Sequence, residues 1–143
     1  MFIGEHNHNI DDKGRLQIPA RFRGAFADGA VVTRGLDGCL FIYTLTEWQK
    51  LAEKLDELPL TGKDARQFSR LMLAGAVDVE LDKQGRVILP GYLRQFAGIK
   101  SNVVVAGLMN RLEVWDEAKW KTEQSSLDQN SDEIAEKLMD FGI

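Results

Sequence analysis

The stretch IDDKGRLQIP at residues 10–19 recurs as LDKQGRVILP at residues 81–90, a displacement of 71 positions. Further matches follow at a displacement of 72, where segments 31–48 and 103–120 share a valine pair, a Gly-Leu pair and a tryptophan. A fixed internal period indicates one structural unit that is built twice. Within the quoted stretch, the charged residues placed identically in both copies are an aspartate and the arginine four residues after it.

Each copy is predicted to fold as a strand, a tight turn, a second strand, a short helix and a hairpin of two more strands. Apolar and acidic residues alternate over 77–82, which is the period of a half-buried strand. Gly14 and Gly85 provide the permissive backbone of a tight turn, and Pro19 and Pro90 suit the first position of a helix. The short helices are predicted over residues 20–27 and 91–97.

Longer helices are predicted after each copy and between them. Thr44 or Thr46 can cap the first, and Asp116 can cap the last. The apolar stripe of the first helix consists of Trp48, Leu51, Leu55 and Leu58. A connecting helix is predicted over residues 63–74, and residues 130–143 form either a docking helix or a frayed tail.

These patterns predict a mixed α+β protein with four parts. They are a first repeat at residues 5–47, a helical connector at 48–75, a second repeat at 76–119 and an acidic helical segment at 120–143. A tryptophan at equivalent positions of both copies, Trp48 and Trp120, is interpreted as part of the core.

Composition excludes several classes of protein. Apolar residues make up 44% and charged residues 28% of the 143 residues, as in ordinary soluble domains. No stretch approaches the roughly 20 apolar residues of a membrane span, and the N-terminus lacks the pattern of a signal peptide. A single cysteine, Cys39, rules out an internal disulfide framework and fits a reducing compartment. We therefore expect a cytoplasmic protein.

The formal net charge of −4 is concentrated at one end of the chain. Residues 116–143 carry eight acidic and three basic side chains, whereas the two repeats are close to neutral. The segment 11–23 holds four basic residues against two acidic ones. Because nucleic-acid binding depends on local patches, the overall charge neither supports nor excludes a DNA partner.

Signatures of catalysis, phosphate binding and metal binding are missing from the sequence, so neither an enzyme nor a cofactor is predicted. His6 and His8 lie on one face of a predicted strand and could supply half of a metal site. Their alignment with Val77 and Val79 instead favours buried or interface histidines satisfied by hydrogen bonds. A complete zinc site needs about four ligands, and no others stand out.

The pairs Asp11–Arg15 and Asp82–Arg86 each bracket a tight turn between two strands. One interpretation is a salt bridge that stabilises the turn, worth about 1 kcal/mol if exposed. The other is a carboxylate that orients a guanidinium toward a phosphate or a guanine edge. The two interpretations are compatible.

This Asp-x-x-x-Arg turn, followed by Ile-Pro or Leu-Pro and a short helix, resembles the SpoVT/AbrB-type DNA-binding module. Two such modules in tandem, together with the opening Met-Phe-x-Gly, resemble the MraZ family of bacterial regulators of the division and cell-wall gene cluster. The resemblance spans roughly residues 2–120 and leaves the acidic C-terminal segment without a match.

The resemblance implies a duplicated swapped-hairpin AbrB-like β-barrel, flanked by helices, in which the two halves of the chain interlock. It also implies a ring-like homo-oligomer that binds tandem direct repeats in double-stranded promoter DNA, without a membrane or small-molecule partner. Head-to-tail subunits present the same face in the same direction, which predicts direct repeats about 10–10.5 base pairs apart.

Carried onto this chain, the resemblance makes Arg15 the leading DNA contact, with Lys13 and Asp11 in the same turn. The second turn offers Arg86, Asp82 and Lys83, with its lysine displaced by one position. We expect the first turn to bind DNA and the second to serve subunit contacts.

For two arginines of the short helices, the sequence allows more than one role. Arg21 either contacts backbone phosphates or lies on a solvated helix face. Arg23 recurs as Arg94, which indicates a shared role such as a subunit or turn salt bridge.

The sequence therefore predicts a nucleoid-associated transcriptional repressor of its own gene cluster. The alternative is a protein–protein interaction module built on the same barrel, in which the acidic tail engages a basic partner.

Overall fold

The structure, a computed structural model, describes residues 1–143 and contains eight strands and four α-helices. The strands are β1 (Phe2–Asn9), β2 (Arg15–Gln17), β3 (Ala30–Arg34), β4 (Leu40–Thr44), β5 (Val77–Val79), β6 (Arg86–Ile88), β7 (Asn102–Met109) and β8 (Arg111–Asp116). The α-helices are α1 (Leu45–Asp56), α2 (Lys63–Ser69), α3 (Gly91–Ala97) and α4 (Glu117–Lys137). Shorter helical turns are the 3₁₀ helices Ala20–Phe26 and Met139–Phe141 and the π-helical turn Arg70–Ala74.

The strands form two antiparallel sheets to which both repeats contribute. Six strands follow the order β1-β7-β8-β4-β3-β5, and β2 pairs with β6 in a separate ladder. Strand β1 pairs with the hairpin of the second repeat, and β5 pairs with the hairpin of the first. The predicted mixed α+β class is confirmed, whereas the swapped-hairpin barrel stays a prediction.

The two copies of the first strand differ in length. Strand β1 pairs with β7 over eight residues, whereas β5 pairs with β3 over only three. In the second copy, the positions that correspond to the start of β1 lie in the π-helical turn and the loop after it. The strand predicted over 77–82 therefore ends early, at Val79.

Two apolar cores lie on opposite faces of the large sheet. Along β4, Leu40 and Ile42 belong to a cluster of 18 buried residues, and Phe41 and Tyr43 belong to a cluster of six. Alternate side chains of a strand point to opposite faces, so the sheet separates the two clusters. The larger cluster contains residues of both repeats, and residues of α1, α2 and α4 pack against the smaller one. Trp48 and Trp120 pack against the smaller cluster, as the core interpretation predicted.

The predictions for the helix caps have different outcomes. The Thr44 hydroxyl accepts a hydrogen bond of 3.1 Å from the Glu47 N–H, which confirms Thr44 as the cap of α1. The prediction for Asp116 is wrong, because this residue precedes α4 without a side-chain capping bond. Its carboxylate instead accepts a hydrogen bond of 3.3 Å from the Lys100 N–H, in the loop before β7.

Within the connector, the helix predicted over residues 63–74 has an irregular second half. Helix α2 continues into the π-helical turn, which ends at Ala74 as predicted. Met72 of this turn is buried in the smaller core, and its carbonyl accepts a hydrogen bond of 2.6 Å from the Thr33 hydroxyl. The connector is thereby bonded to the large sheet.

The C-terminal segment is helical, as the first of the two predicted alternatives requires, but residues 130–143 do not dock within the chain. Helix α4 runs without a break over 21 residues, through the expected boundary at 130, and none of its residues is buried. None of the helices combines the length and the apolar character that a bilayer crossing requires.

Candidate nucleic-acid interface

The first turn, residues 11–15, is organised around one carboxylate. Oδ1 of Asp11 accepts hydrogen bonds from the backbone N–H groups of Lys13 (3.0 Å) and Arg15 (2.8 Å). Its Oδ2 accepts a hydrogen bond of 2.5 Å from Nε of Arg15. Gly14 closes the turn with φ of +80° and donates its N–H to the Asp11 carbonyl at 3.0 Å.

The second turn, residues 82–86, repeats this arrangement. Oδ1 of Asp82 accepts hydrogen bonds of 2.9 Å from the N–H groups of Gln84 and Arg86. Oδ2 accepts a hydrogen bond of 2.8 Å from Nε of Arg86. Gly85 has φ of +77°. A sequence repeat has thus produced a repeat of side-chain geometry.

These hydrogen bonds lower the pKa of both carboxyl groups. For Asp11, the largest cause is the hydrogen bond from the Arg15 backbone N–H, with further lowering by the Arg15 guanidinium and the Lys13 N–H. For Asp82, the Arg86 backbone N–H has the same leading role. In both cases the bonds outweigh the opposing effect of desolvation, because they stabilise the charged form.

The carboxylates leave part of each guanidinium free. Both arginines bond to their aspartate through Nε, and their terminal nitrogens make no hydrogen bond within the chain. The side chains of Arg15 and Arg86 are 31% and 26% exposed. The carboxylate therefore stabilises the turn and also fixes a guanidinium whose two terminal nitrogens are free to donate, whereas the contact with a phosphate or a guanine stays a prediction.

The two turns are joined through backbone hydrogen bonds. The Ile18 N–H donates to the Gly85 carbonyl at 2.9 Å, and the Leu89 N–H donates to the Gly14 carbonyl at 2.7 Å. Each strand that leaves one turn is therefore bonded to the glycine of the other turn.

The arginines of the short helices stabilise these two hydrogen-bonded connections between the turns, which we call the crossings. Nε of Arg23 donates to the Ile18 carbonyl and Nε of Arg94 to the Leu89 carbonyl, both at 2.9 Å. Each guanidinium also lies close to the glycine of the opposite turn. A Cβ added at Gly85 would contact Arg23, and a Cβ added at Gly14 would contact Arg94. The shared role predicted for this pair is confirmed, but its partners are backbone carbonyls and not the carboxylates of a salt bridge.

The β2–β6 ladder places both arginines on one face. Arg15 lies opposite Ile88, and Gln17 lies opposite Arg86. The residues between them, Leu16 and Val87, are buried in the larger core, so the other four side chains face outward. Arg15 and Arg86 are diagonal neighbours, roughly 7–8 Å apart between Cα atoms. We call the four outward residues the ribbon face: Arg15, Gln17, Arg86 and Ile88.

Three further predicted site residues are exposed, two of them in the turns beside the ribbon face and one on the first 3₁₀ helix. Lys13 and Lys83 are exposed in the two turns. Arg21 is exposed on the first 3₁₀ helix, with its guanidinium carbon 5.4 Å from the centre of the Phe22 ring. None of the three forms a salt bridge within the chain.

The histidine pair differs from the prediction of hydrogen-bonded side chains. His6 and His8 are half-buried on the same face of β1. Nε2 of His6 is buried without a hydrogen-bond partner, and its ring packs edge-on against Phe22, 5.3 Å between centroids. Burial, followed by the charges of His6 and Arg23, lowers the pKa of His8. No group of three or more His, Cys, Asp or Glu side chains converges to hold a metal ion.

Two residues of the ribbon face, Gln17 and Ile88, were not predicted from the sequence. Gln17 donates from Nε2 to the Gln84 carbonyl at 2.5 Å, and Ile88 is 58% exposed. The available signal was the two-residue period, which puts position 17 beside Arg15 and position 88 beside Arg86. The pairing of β2 with β6 was needed to bring these positions together.

Comparisons with known proteins cover the whole chain. The family model described as "MraZ protein, putative antitoxin-like" matches twice, over residues 1–71 and 72–142. Proteins named Transcriptional regulator MraZ from Natranaerobius thermophilus, Caldanaerobacter subterraneus subsp. tengcongensis and Halothermothrix orenii are each 48% identical over 143 residues, with 100% of both chains covered. Both the double match and the full-length identity agree with the doubled Asp–Arg turn, and the chain belongs to the MraZ family.

Proposed function

We propose that this protein is a sequence-specific transcriptional regulator that contacts double-stranded DNA with its ribbon face. The observation that carries the proposal is the placement of Arg15 and Arg86 on one side of the β2–β6 ladder, with their terminal nitrogens free. The name shared by the relatives supports the regulatory part. Catalysis has no part in this function.

The geometry suits the major groove of B-DNA. This groove admits a two-stranded β-ribbon, and the terminal nitrogens of an arginine can bond to O6 and N7 of guanine. Lys13 and Lys83 are exposed in the two turns beside the ribbon face, and Arg21 is exposed on the first 3₁₀ helix, so all three cations are free to bind phosphates. The ladder favours a shared DNA-binding role for both turns over the separate roles expected from the sequence.

A single ribbon offers few contacts, so we propose that several protomers act together in a ring-like homo-oligomer. Linking weak sites raises affinity through effective concentration. Helix α4 supports self-association, because four exposed apolar residues are spaced three to seven positions apart along the helix and the turn after it. They are Leu127, Ile134, Leu138 and Phe141. The halves of each protomer would form the swapped-hairpin barrel, and the ring would bind direct repeats upstream of its own division and cell-wall genes and repress them.

A protein–protein interaction module is the second candidate function. Helix α4 and the residues after it are exposed and hold most of the excess negative charge of the chain. The antitoxin-like description of the family model also favours a protein partner. In this case the acidic helix would bind a basic surface.

In the first proposal, by contrast, a DNA-binding regulator would act in the cytoplasm, associated with the nucleoid.

A mobility-shift titration tests the DNA-binding proposal, with the DNA upstream of the protein's own gene as probe and a scrambled competitor. Arg15→Ala is expected to weaken specific binding by roughly 1–3 kcal/mol per lost guanine contact. Arg70→Ala is the matched control, because it removes an exposed arginine of the connector, away from the ribbon face. This variant should bind as the wild type does.

Circular dichroism and light scattering accompany the titration. A folded, fully assembled Arg15→Ala variant that has lost the specific shift would support the proposal. No specific shift for the wild-type protein would contradict DNA binding and favour the interaction module. Unfolding or dissociation of the variant would assign Arg15 a structural role.

A further inference from the structure

The two repeats differ at one outward position of the ribbon face. Gln17 of the first repeat corresponds to Ile88 of the second, at the same displacement of 71 positions. The side-chain amide of Gln17 donates to the Gln84 carbonyl and so bonds the second turn to β2. Ile88 has no donor, so the first turn lacks the equivalent bond. The ribbon face is therefore asymmetric although the backbone around it is repeated.

The position of Ile88 is defined by the ladder. It lies directly opposite Arg15 and is 58% exposed. Directly opposed residues in an antiparallel pair have Cβ atoms about 4.5–5.5 Å apart. The Ile88 side chain therefore lies beside the aliphatic stem of Arg15, whose guanidinium bonds to Asp11 on the other side of β2.

The chemistry of the major groove offers one apolar counterpart to such a side chain. Most groups on the base edges there are hydrogen-bond donors or acceptors, and the exception is the C5-methyl group of thymine. Successive base pairs are separated by about 3.4 Å. A side chain about 5 Å from Arg15 would thus reach a base pair one or two steps from the guanine that Arg15 contacts.

We propose that Ile88 is a specificity-determining residue that contacts a thymine methyl group beside the guanine bound by Arg15. Gln17 is instead a positioning residue that holds the second turn. This inference rests on the proposed function. Its consequence is that one protomer recognises an asymmetric sequence in spite of its internal repeat.

The test removes only the methyl group. The probe is the duplex upstream of the protein's own gene that the wild-type protein protects in a footprint, with each thymine replaced in turn by 2′-deoxyuridine. At one thymine per protected repeat, the replacement should weaken wild-type binding about fourfold, which is the loss expected for one buried methyl-sized group. Ile88→Ala should bind the thymine duplex more weakly and show no response to uridine at that position.

Different results would contradict the inference about Ile88 and the proposed function. Indifference of the wild type to uridine at every position would overturn the inference, and so would an unchanged uridine response in Ile88→Ala. A smaller oligomer of Ile88→Ala in light scattering would place the residue in a subunit contact and also overturn it. The absence of any wild-type footprint would instead contradict the proposed function itself.

Two further variants complete the design. Ile88→Val keeps a β-branched side chain, so it should fold normally and show a weakened uridine response even if Ile88→Ala does not fold. Ile3→Ala is the matched control, because Ile3 is an exposed isoleucine on a strand (47%) outside the ribbon face. Ile3→Ala should respond to uridine as the wild type does, and loss of its response would contradict the assignment to Ile88.

Discussion

A single carboxylate in each turn bonds both the backbone of the turn and the guanidinium of the arginine four residues later. The bond to Nε leaves the two terminal nitrogens of Arg15 free, and the same holds for Arg86. A lysine at either position would keep the charge but lose the fixed fork of donors, because an ammonium group has no planar edge. At this scale, the aspartate is what makes the arginine a directional donor.

The lowered pKa of Asp11 predicts how stability depends on pH. A carboxyl group whose pKa is lower in the folded state stabilises the protein above its unfolded pKa, about 3.9 for aspartate. This contribution is lost as the pH falls through the folded value. We therefore expect Asp11→Asn to flatten part of the decline in unfolding free energy below about pH 4.

Urea denaturation between about pH 2.5 and pH 7 measures this effect. Asp12→Asn is the control, because the Asp12 carboxylate is exposed and makes no hydrogen bond in the same turn. An equal change in pH dependence for both variants would show that general charge, and not the turn geometry, is responsible.

Gly85→Ala is predicted to destabilise the protein. The residue has φ of +77°, and an added Cβ would collide with the guanidinium of Arg23, which supports the crossing between the turns. We expect a loss of about 1–3 kcal/mol in unfolding free energy. Gly24→Ala is the control, since its Cβ would meet no atom within 4 Å. If the two variants are equally stable in urea denaturation, the crossing is looser than the structure indicates.

At the scale of elements, the ribbon is made of two strands of three residues that come from different repeats. Isolated two-stranded ladders are marginally stable at best. This one is retained because Leu16 and Val87 are buried beneath it and because the crossing bonds join it to both turns. The elements that position the candidate site are therefore held by long-range contacts.

Thr44→Ala tests the start of α1. The hydroxyl satisfies the N–H of Glu47, and loss of such a cap costs about 1 kcal/mol. Thr46→Ala is the control, because Thr46 is exposed within the first turn of the helix and makes no side-chain hydrogen bond. Thermal or urea denaturation should show a loss for the first variant only. A comparable loss for Thr46→Ala would contradict the assignment of the cap.

At the scale of the whole molecule, the two halves depend on each other. Strand β1 has its partner in the second repeat, β5 has its partner in the first, and the larger core contains residues of both. We expect residues 1–71 alone to lack a stable monomeric fold, because β1 and β2 lose their partners. Mixing with residues 72–143 should restore the native circular dichroism spectrum. A cooperative unfolding transition of the monomeric 1–71 fragment would contradict this expectation.

The features that the sequence predicted correctly are local ones. The turn glycines, the helix over 91–97, the cap at Thr44 and the Asp–Arg bond across each turn depend on residues only a few positions apart. Backbone freedom at glycine, the fixed geometry of proline and the two-residue period of a strand act over that range. The internal repeat then assigned the same local structure twice.

The features decided by the tertiary structure involve partners distant in the chain. Examples are the pairing of β2 with β6, the bond from Gln17 to the second turn and the shortening of β5 by the connector. Backbone N–H and C=O groups are alike at every residue, so local sequence does not specify which strand they will meet. Packing of the shared core selects those partners. Local sequence specifies two equivalent turns, and the packing of the shared core joins them into one asymmetric face.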